Sequence, residues 1–139
     1  MTTHIKKSPE IRGTIASFDL AVAVTDVALK PGETVLFSMH RLVGLFRPLR
    51  LVLAGALEPL EVIEIAVGAE TVMQGGPVCA SIFASNAPDP AIAFPVMAPG
   101  INLLVRIRNR SDHKAIVKAT VQGVEVYEGS YLRADGAQA

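Results

Sequence analysis

Residues 103–122 read LLVRIRNRSDHKAIVKATVQ. Leu103, Val105 and Ile107 alternate with Leu104, Arg106 and Arg108; beyond Asn109 to His113, Ala115, Val117, Ala119 and Val121 alternate with Lys118, Thr120 and Gln122. A period of two sends successive side chains to opposite sides of a strand, so each run has an apolar side and a more polar one. Two such runs around a short polar turn predict a β-hairpin. Each strand hides only one side, so a second layer must cover the apolar side.

Working outward, the same texture recurs. Lys30-Pro31-Gly32-Glu33 is a turn, with proline fixing one backbone angle and glycine supplying the permissive position. Thr34 to Phe46 follows as a strand, with Val35, Phe37 and Met39 on one side and Thr34, Ser38 and His40 on the other. Pro48 interrupts it, and Leu49, Leu51 and Leu53 make the next alternating row. In Leu60 to Val67, Ile63, Ile65 and Val67 oppose Glu64 and Ala66 until Gly68 ends the pattern. Shorter strands are expected within Ile15 to Ala28, at Thr71 to Gln74 and at Val78 to Ala84. About eight short strands with turn signals between them, and no amphipathic helix, predict an all-β protein, a β-sandwich or jelly roll. Its expected parts are an extended N-terminal arm over 1–13, the sandwich over 14–132 and a loose tail over 133–139.

Composition narrows the function classes. Half of the 139 residues are apolar and the mean hydropathy is +0.41, yet Trp is absent. That much aliphatic material exceeds what one small core needs, so self-association into a dimer or trimer, or a larger assembly, is expected. A net charge of zero offers no basic surface for nucleic acid. Residues 51–105 contain no Lys or Arg, while both flanks are basic-rich. Either the fold has an acidic side and a basic side, or the middle is mostly buried strand and apolar loop. A single cysteine permits no internal disulfide, the first twelve residues have no signal-peptide pattern, and the apolar run Leu20 to Leu29 is too short to span a bilayer. A cytoplasmic product with no membrane partner is the expectation.

Candidates for chemistry are few. Cys79, ahead of a small apolar run, reads as a buried and inert thiol. His4, His40 and His113 have no metal-ligand spacing. Glu58, Glu61 and Glu64 are spaced like a helical face, but Pro59 and the β-branched residues after it favour a loop for Glu58 and Glu61 and the solvated face of a strand for Glu64. Gly68 and Gly75-Gly76 read as turn glycines, since no lysine or helix start follows them. No catalytic residue, metal ligand or cofactor is therefore expected. Arg106, Arg108 and Arg110 read as a solvated face or, more sharply, as a docking surface for an acidic partner.

The order of four motifs carries a resemblance. Arg47-Pro48-Leu49-Arg50-Leu51-Val52-Leu53, then Ile63-Glu64-Ile65-Ala66-Val67-Gly68, then Gly76-Pro77-Val78-Cys79-Ala80 with Phe83, then Pro99-Gly100 opening a strand that ends at Asn109, is similar to jelly-roll cement, or decoration, proteins of tailed-phage capsids. The resemblance covers roughly residues 18–125 and implies a non-enzymatic virion protein on the capsid exterior, made in the host cytoplasm, self-associating and bridging major capsid proteins. A shell- or tail-forming protein is a close variant. The alternative class is a small-ligand or carbohydrate-binding β-sandwich, although only Tyr127 and Tyr131 would supply tyrosine platforms. Expected subunit or capsid contacts are Lys6, Lys7 and Arg12 in the arm, and Phe94 and Met97 in the proline-rich connection Ser85 to Gly100. Burial of Phe94 and Met97 inside their own subunit would remove that second pair.

Overall fold

The computed structural model describes residues 10–17, 26–40, 44–73 and 76–126. Among the described residues ten strands form two sheets: β1 (Glu10–Thr14), β2 (Ala16–Ser17), β3 (Val27–Leu29), β4 (Thr34–His40), β5 (Leu45–Gly55), β6 (Leu60–Val67), β7 (Glu70–Thr71), β8 (Val78–Cys79), β9 (Asn102–Asn109) and β10 (Ala115–Val126). The larger sheet runs β1-β4-β9-β6-β7, with β8 also on β6; the smaller has β10 at its centre, paired with β2, β3 and β5. The fold is an all-β sandwich. The connections β3–β4, β4–β5, β5–β6 and β9–β10 each pass from one sheet to the other, which is jelly-roll order.

That last crossing corrects the predicted hairpin. β9 pairs with β4 and β6, while β10 pairs antiparallel with β3 and β5, so the two alternating runs lie in opposite layers. Alternation states that each strand has one apolar side, and facing layers satisfy it as well as neighbouring strands do. Val105 and Ile107 point inward from one sheet, Val117 and Ala119 from the other, and all are fully buried in a shared core with Phe37, Phe46 and Phe83.

Asn109 holds the crossing. Its side chain is completely buried, and its Nδ2 donates to the Leu29 carbonyl at 3.0 Å and the His113 carbonyl at 2.9 Å. Its Oδ1 accepts from the Ser111 amide at 2.9 Å and the Ser111 hydroxyl at 2.8 Å. Every hydrogen-bonding position of the amide is used, which is what makes a buried polar side chain tolerable. The Asn109 backbone also donates to Glu33 and accepts from Gly32, so two crossover turns are tied at one end of the sandwich.

Two bulges shift the expected rows. In β6, Glu64 lies opposite Arg106 and Val62 opposite Ile107, leaving Ile63 as the extra residue. Val62, Ile65 and Val67 are therefore the buried set, and Ile63 is half-buried. In β5 the register slips so that Arg50 meets Gln122 and Pro48 meets Gly123, which makes Leu49 the extra residue and leaves it exposed. A side chain on Gly123 would run into the Phe46 ring and the Arg47 carbonyl, so the bulge needs a glycine there. The strand also continues through Pro48, where an interruption is predicted, because the bulge removes the need for a regular donor.

The ends differ from expectation too. Residues 10–13, assigned to an arm by the sequence reading, belong to β1, an edge strand parallel to β4. Only Val78–Cys79 of the predicted strand Val78 to Ala84 is extended; Ala80–Phe83 forms a short 3-10 helix that buries Ala80 and Phe83. The tail 133–139 lies outside the described residues.

Candidate functional site

The outer face of the larger sheet gathers a row of paired charges. Register sets Arg108 beside Glu61 and Arg106 beside Glu64, and side chains at these outward positions meet as the register dictates. Arg108 donates to Glu61 at 2.6 Å, Arg110 to the other oxygen of Glu61 at 3.1 Å, and Arg106 to Glu10 at 2.6 Å and to Glu64. The basic-free middle of the chain and its basic C-terminal flank are thus neighbours on one face, not opposite sides of the fold. Hydrogen bonding from Arg108, and then from Arg110, holds the Glu61 carboxyl below the usual carboxylate range against the opposing effect of burial. Bonding to Glu10 above all raises the Arg106 guanidinium. These arginines already have acidic partners within the chain, which removes the sharper reading of their row as a docking surface for an acidic partner.

At the crossover end of this sheet lies an open cleft of about 330 Å³ lined by Glu58, Glu61, Cys79, Arg110 and Ser111, with Pro59 and Pro77 among its walls. Cys79 is exposed, contrary to the buried thiol expected. Its partner position in register is Glu61 on the outer side of the sheet, so alternation turns the thiol outward. Its Sγ lies 3.0 Å from the Ser81 Oγ. No histidine lines the cleft, and its one strongly engaged carboxylate, Glu61, is held ionised by two arginines. A depressed carboxylate neither keeps a proton to donate nor takes one readily near neutrality. Glu58 sits in the preceding turn and Glu64 on a strand, as expected, whereas Glu61, expected in the loop, is on β6 as well. His113 is exposed beside Asp112, whose pKa this contact lowers. Among the described residues, no group of three or more His, Cys, Asp or Glu could hold a metal ion.

The outer face of the smaller sheet differs. Along β10 the outward positions are Ile116, Lys118, Thr120 and Gln122, then Val124 beyond the bulge; along β5 they are Ala54, Val52, Arg50, Leu49 and Arg47. Leu49, Ile116 and Val124 are 48%, 46% and 48% exposed. Alternation in β10 places Ile116 in the polar register of its own strand. Reading the strand for residues that break their own pattern would have found it.

The residues expected to make contacts fare unequally. Lys6 and Lys7 lie outside the described residues, as do Tyr127 and Tyr131. Arg12 is exposed on β1, opposite Leu36 on the outer face of the larger sheet. Phe94 is 8% exposed and Met97 is fully buried, both inside their own subunit's core, so they are not contact residues. The reason is the free edge of β5, which the segment 84–97 covers. Phe46 and Met97 exchange backbone hydrogen bonds at 3.0 and 2.7 Å, and Leu53 bridges Ala84. Arg50 fixes the segment from the side, its Nη2 donating to the Ala87 carbonyl at 2.8 Å and the Ala84 carbonyl at 3.2 Å.

No protein-family model and no curated protein matches this chain. Among solved structures, the periplasmic lysozyme inhibitor PliG of Aeromonas hydrophila, an inhibitor of g-type lysozyme, aligns over 82% of this chain and 100% of its own, at 12% identity and a TM-score of 0.38. A likeness that distant carries no argument about fold or function.

Proposed function

We propose that this chain is a non-enzymatic virion structural protein, a capsid cement or decoration protein that binds outside the shell and ties neighbouring major capsid proteins together. The observation that carries the reading is the outer face of the smaller sheet, where Leu49, Ile116 and Val124 stand about half exposed. Burying the exposed half of each would contribute about 1 kcal/mol, toward an association that further contacts with the shell must complete. The motifs similar to those of phage cement proteins fall on β5, β6, β8 and β9 and the connections beside them, and they include Leu49 of this face. On this reading the partners are the major capsid protein and further copies of the chain, as a dimer or trimer, with no nucleic acid, membrane or cofactor required.

The test is co-sedimentation of the purified chain with DNA-free shells assembled from the major capsid protein of the phage that carries its gene. Saturable binding at a fixed ratio to capsomers, with a rise in the shell's melting temperature, is expected. A chain that stays monomeric at high concentration and pellets with no shell sinks the reading. If shells fail to assemble at all without it, the chain is a shell component and not a cement.

A further inference from the structure

We infer that the chain forms a symmetric dimer through the edge of the larger sheet, β1 pairing antiparallel with β1 of a second copy so that Glu10 of each faces Arg12 of the other. This rests on the self-association in the reading above and specifies its surface and the number of copies. β1 ends the larger sheet. Its register with β4, and the bond from the Ile15 amide to the Ser38 carbonyl at 2.9 Å, turn the backbone groups of Ile11 and Gly13 toward β4. Those of Glu10, Arg12 and Thr14 therefore point away from the sheet, and among the described residues no backbone hydrogen bond reaches them. An edge of that kind accepts another strand unless something covers or blunts it. The segment 84–97 covers the edge of β5, whereas β1 is blunted by its charges alone.

Charge on an edge strand ordinarily discourages pairing, and the surroundings of Arg12 reverse that here. Arg12 is exposed and makes no ion pair among the described residues. Its row across the sheet is Leu36, Arg106 and Glu64, and that glutamate is taken by Arg106. Glu10, two residues along the same strand, gives its Oε2 to Arg106 Nε at 2.6 Å, while its Oε1 has only a 3.5 Å contact with Nη2. One edge thus carries a cation without a carboxylate and a carboxylate oxygen with room for another donor. A two-fold axis through Ile11 joins them reciprocally: Glu10 lies opposite the second copy's Arg12, and Arg12 opposite its Glu10. Each such pair exchanges both of its backbone hydrogen bonds, and half-buried Ile11 meets its equivalent on the inward side. Moving the axis to Arg12 would set the two guanidinium groups against each other, so charge fixes the register. Closed by the axis, the pairing stops at two copies and merges their larger sheets into one.

The experiment follows amide hydrogen exchange of the full chain across a concentration series, with sedimentation equilibrium on the same samples. A monomer–dimer equilibrium is expected, in which the Glu10 and Arg12 amides gain protection as dimer forms while the Ile11 and Gly13 amides, already bonded to β4, do not change. Arg12→Glu and Glu10→Arg should each weaken the dimer at least about tenfold by setting like charges opposite one another. An equimolar mixture of the two variants should recover it, since each edge then meets its complement. Should a charge reversal disturb folding, Ile11→Cys in a Cys79→Ser background gives an independent readout: oxidised glutathione should link two copies there and should not link Thr14→Cys. A chain that stays monomeric at millimolar concentration overturns the inference, as does a mixture no stronger than either variant alone. So does protection of the Glu10 and Arg12 amides at every concentration, which would put another segment of the same chain on this edge. Protection that appears only when shells are added would hand the edge to the capsid protein. The shell assay separates this from the function: shells bound by a chain that never dimerises leave the cement reading standing and remove this interface. A β1 dimer that binds no shell does the reverse.

Discussion

The two outer faces of the sandwich solve the same problem in opposite ways. On the larger sheet, Glu10, Glu61 and Glu64 stand beside Arg106, Arg108 and Arg110, so the charges find one another within the chain. On the smaller sheet the outward positions mix cations, neutral polar side chains and aliphatic ones, and Leu49, Ile116 and Val124 remain about half exposed while Val52 is buried. One face is electrostatically closed and the other is open. The difference teaches that net charge and total hydropathy are poor guides to where a protein binds. A face rich in arginine is already occupied when the neighbouring strand carries the carboxylates.

The strongest way to break the comparison is to loosen what holds the two layers in register. Asn109→Leu leaves the buried Leu29 carbonyl without its side-chain partner and removes the amide's bonds to the Ser111 amide and to the His113 carbonyl, which the Ser111 hydroxyl still reaches; about 2 kcal/mol of stability should be lost, read by chemical denaturation. A loss under about 1 kcal/mol would mean that the crossing does not depend on this amide. The next effect is smaller and confined to the closed face. Glu61→Gln should cost about 1 kcal/mol, because the pair with Arg108 is partly sheltered while that with Arg110 is mostly in solvent. Since Glu61 has a depressed carboxyl pKa, its contribution is present above the unfolded carboxylate pKa and fades as pH falls through the folded one. A denaturation series from neutral pH into acid should therefore show the variant and the wild type converging at the acid end. Parallel curves would show that the pairing adds nothing to stability. The smallest effect on folding is expected on the open face: Ile116→Thr or Val124→Thr should shift stability by less than about 0.5 kcal/mol while weakening association in the shell assay. A large drop in melting temperature would place these side chains in the fold's own energetics and make the open face a structural one.

Much of the architecture was legible in alternation alone. Val35, Phe37 and Met39, then Leu103, Val105 and Ile107, then Ala115, Val117, Ala119 and Val121 are the buried sides of β4, β9 and β10. What alternation does not encode is adjacency, which is why β9 and β10 looked like a hairpin although they occupy different layers. Nor does it show an inserted residue when both neighbours are apolar: Val62 and Ile63 satisfy the pattern equally well, and only the pairing of Glu64 with Arg106 decides which faces inward. The site was harder to read. Phe94 and Met97 announced themselves by hydrophobicity in a loop, but the loop's apolar residues serve the edge of β5. Ile116 and Val124 passed unremarked because valine and isoleucine in a strand are ordinary. Cys79 looked buried because its neighbours are apolar, while its exposure follows from lying opposite Glu61, a relation far apart in sequence.

The strap formed by residues 84–97 has a consequence for growth. An open strand edge invites another chain to extend the sheet by backbone hydrogen bonding, and repeated addition produces filaments. Along β5 that route is obstructed: Met97 occupies the backbone groups of Phe46, Ala84 lies against Leu53, and Arg50 keeps the intervening chain in place. Polymerisation strand by strand from this side of the smaller sheet would first require the strap to peel away. With the strap in place, what this edge offers to a neighbouring molecule is side chains and not backbone.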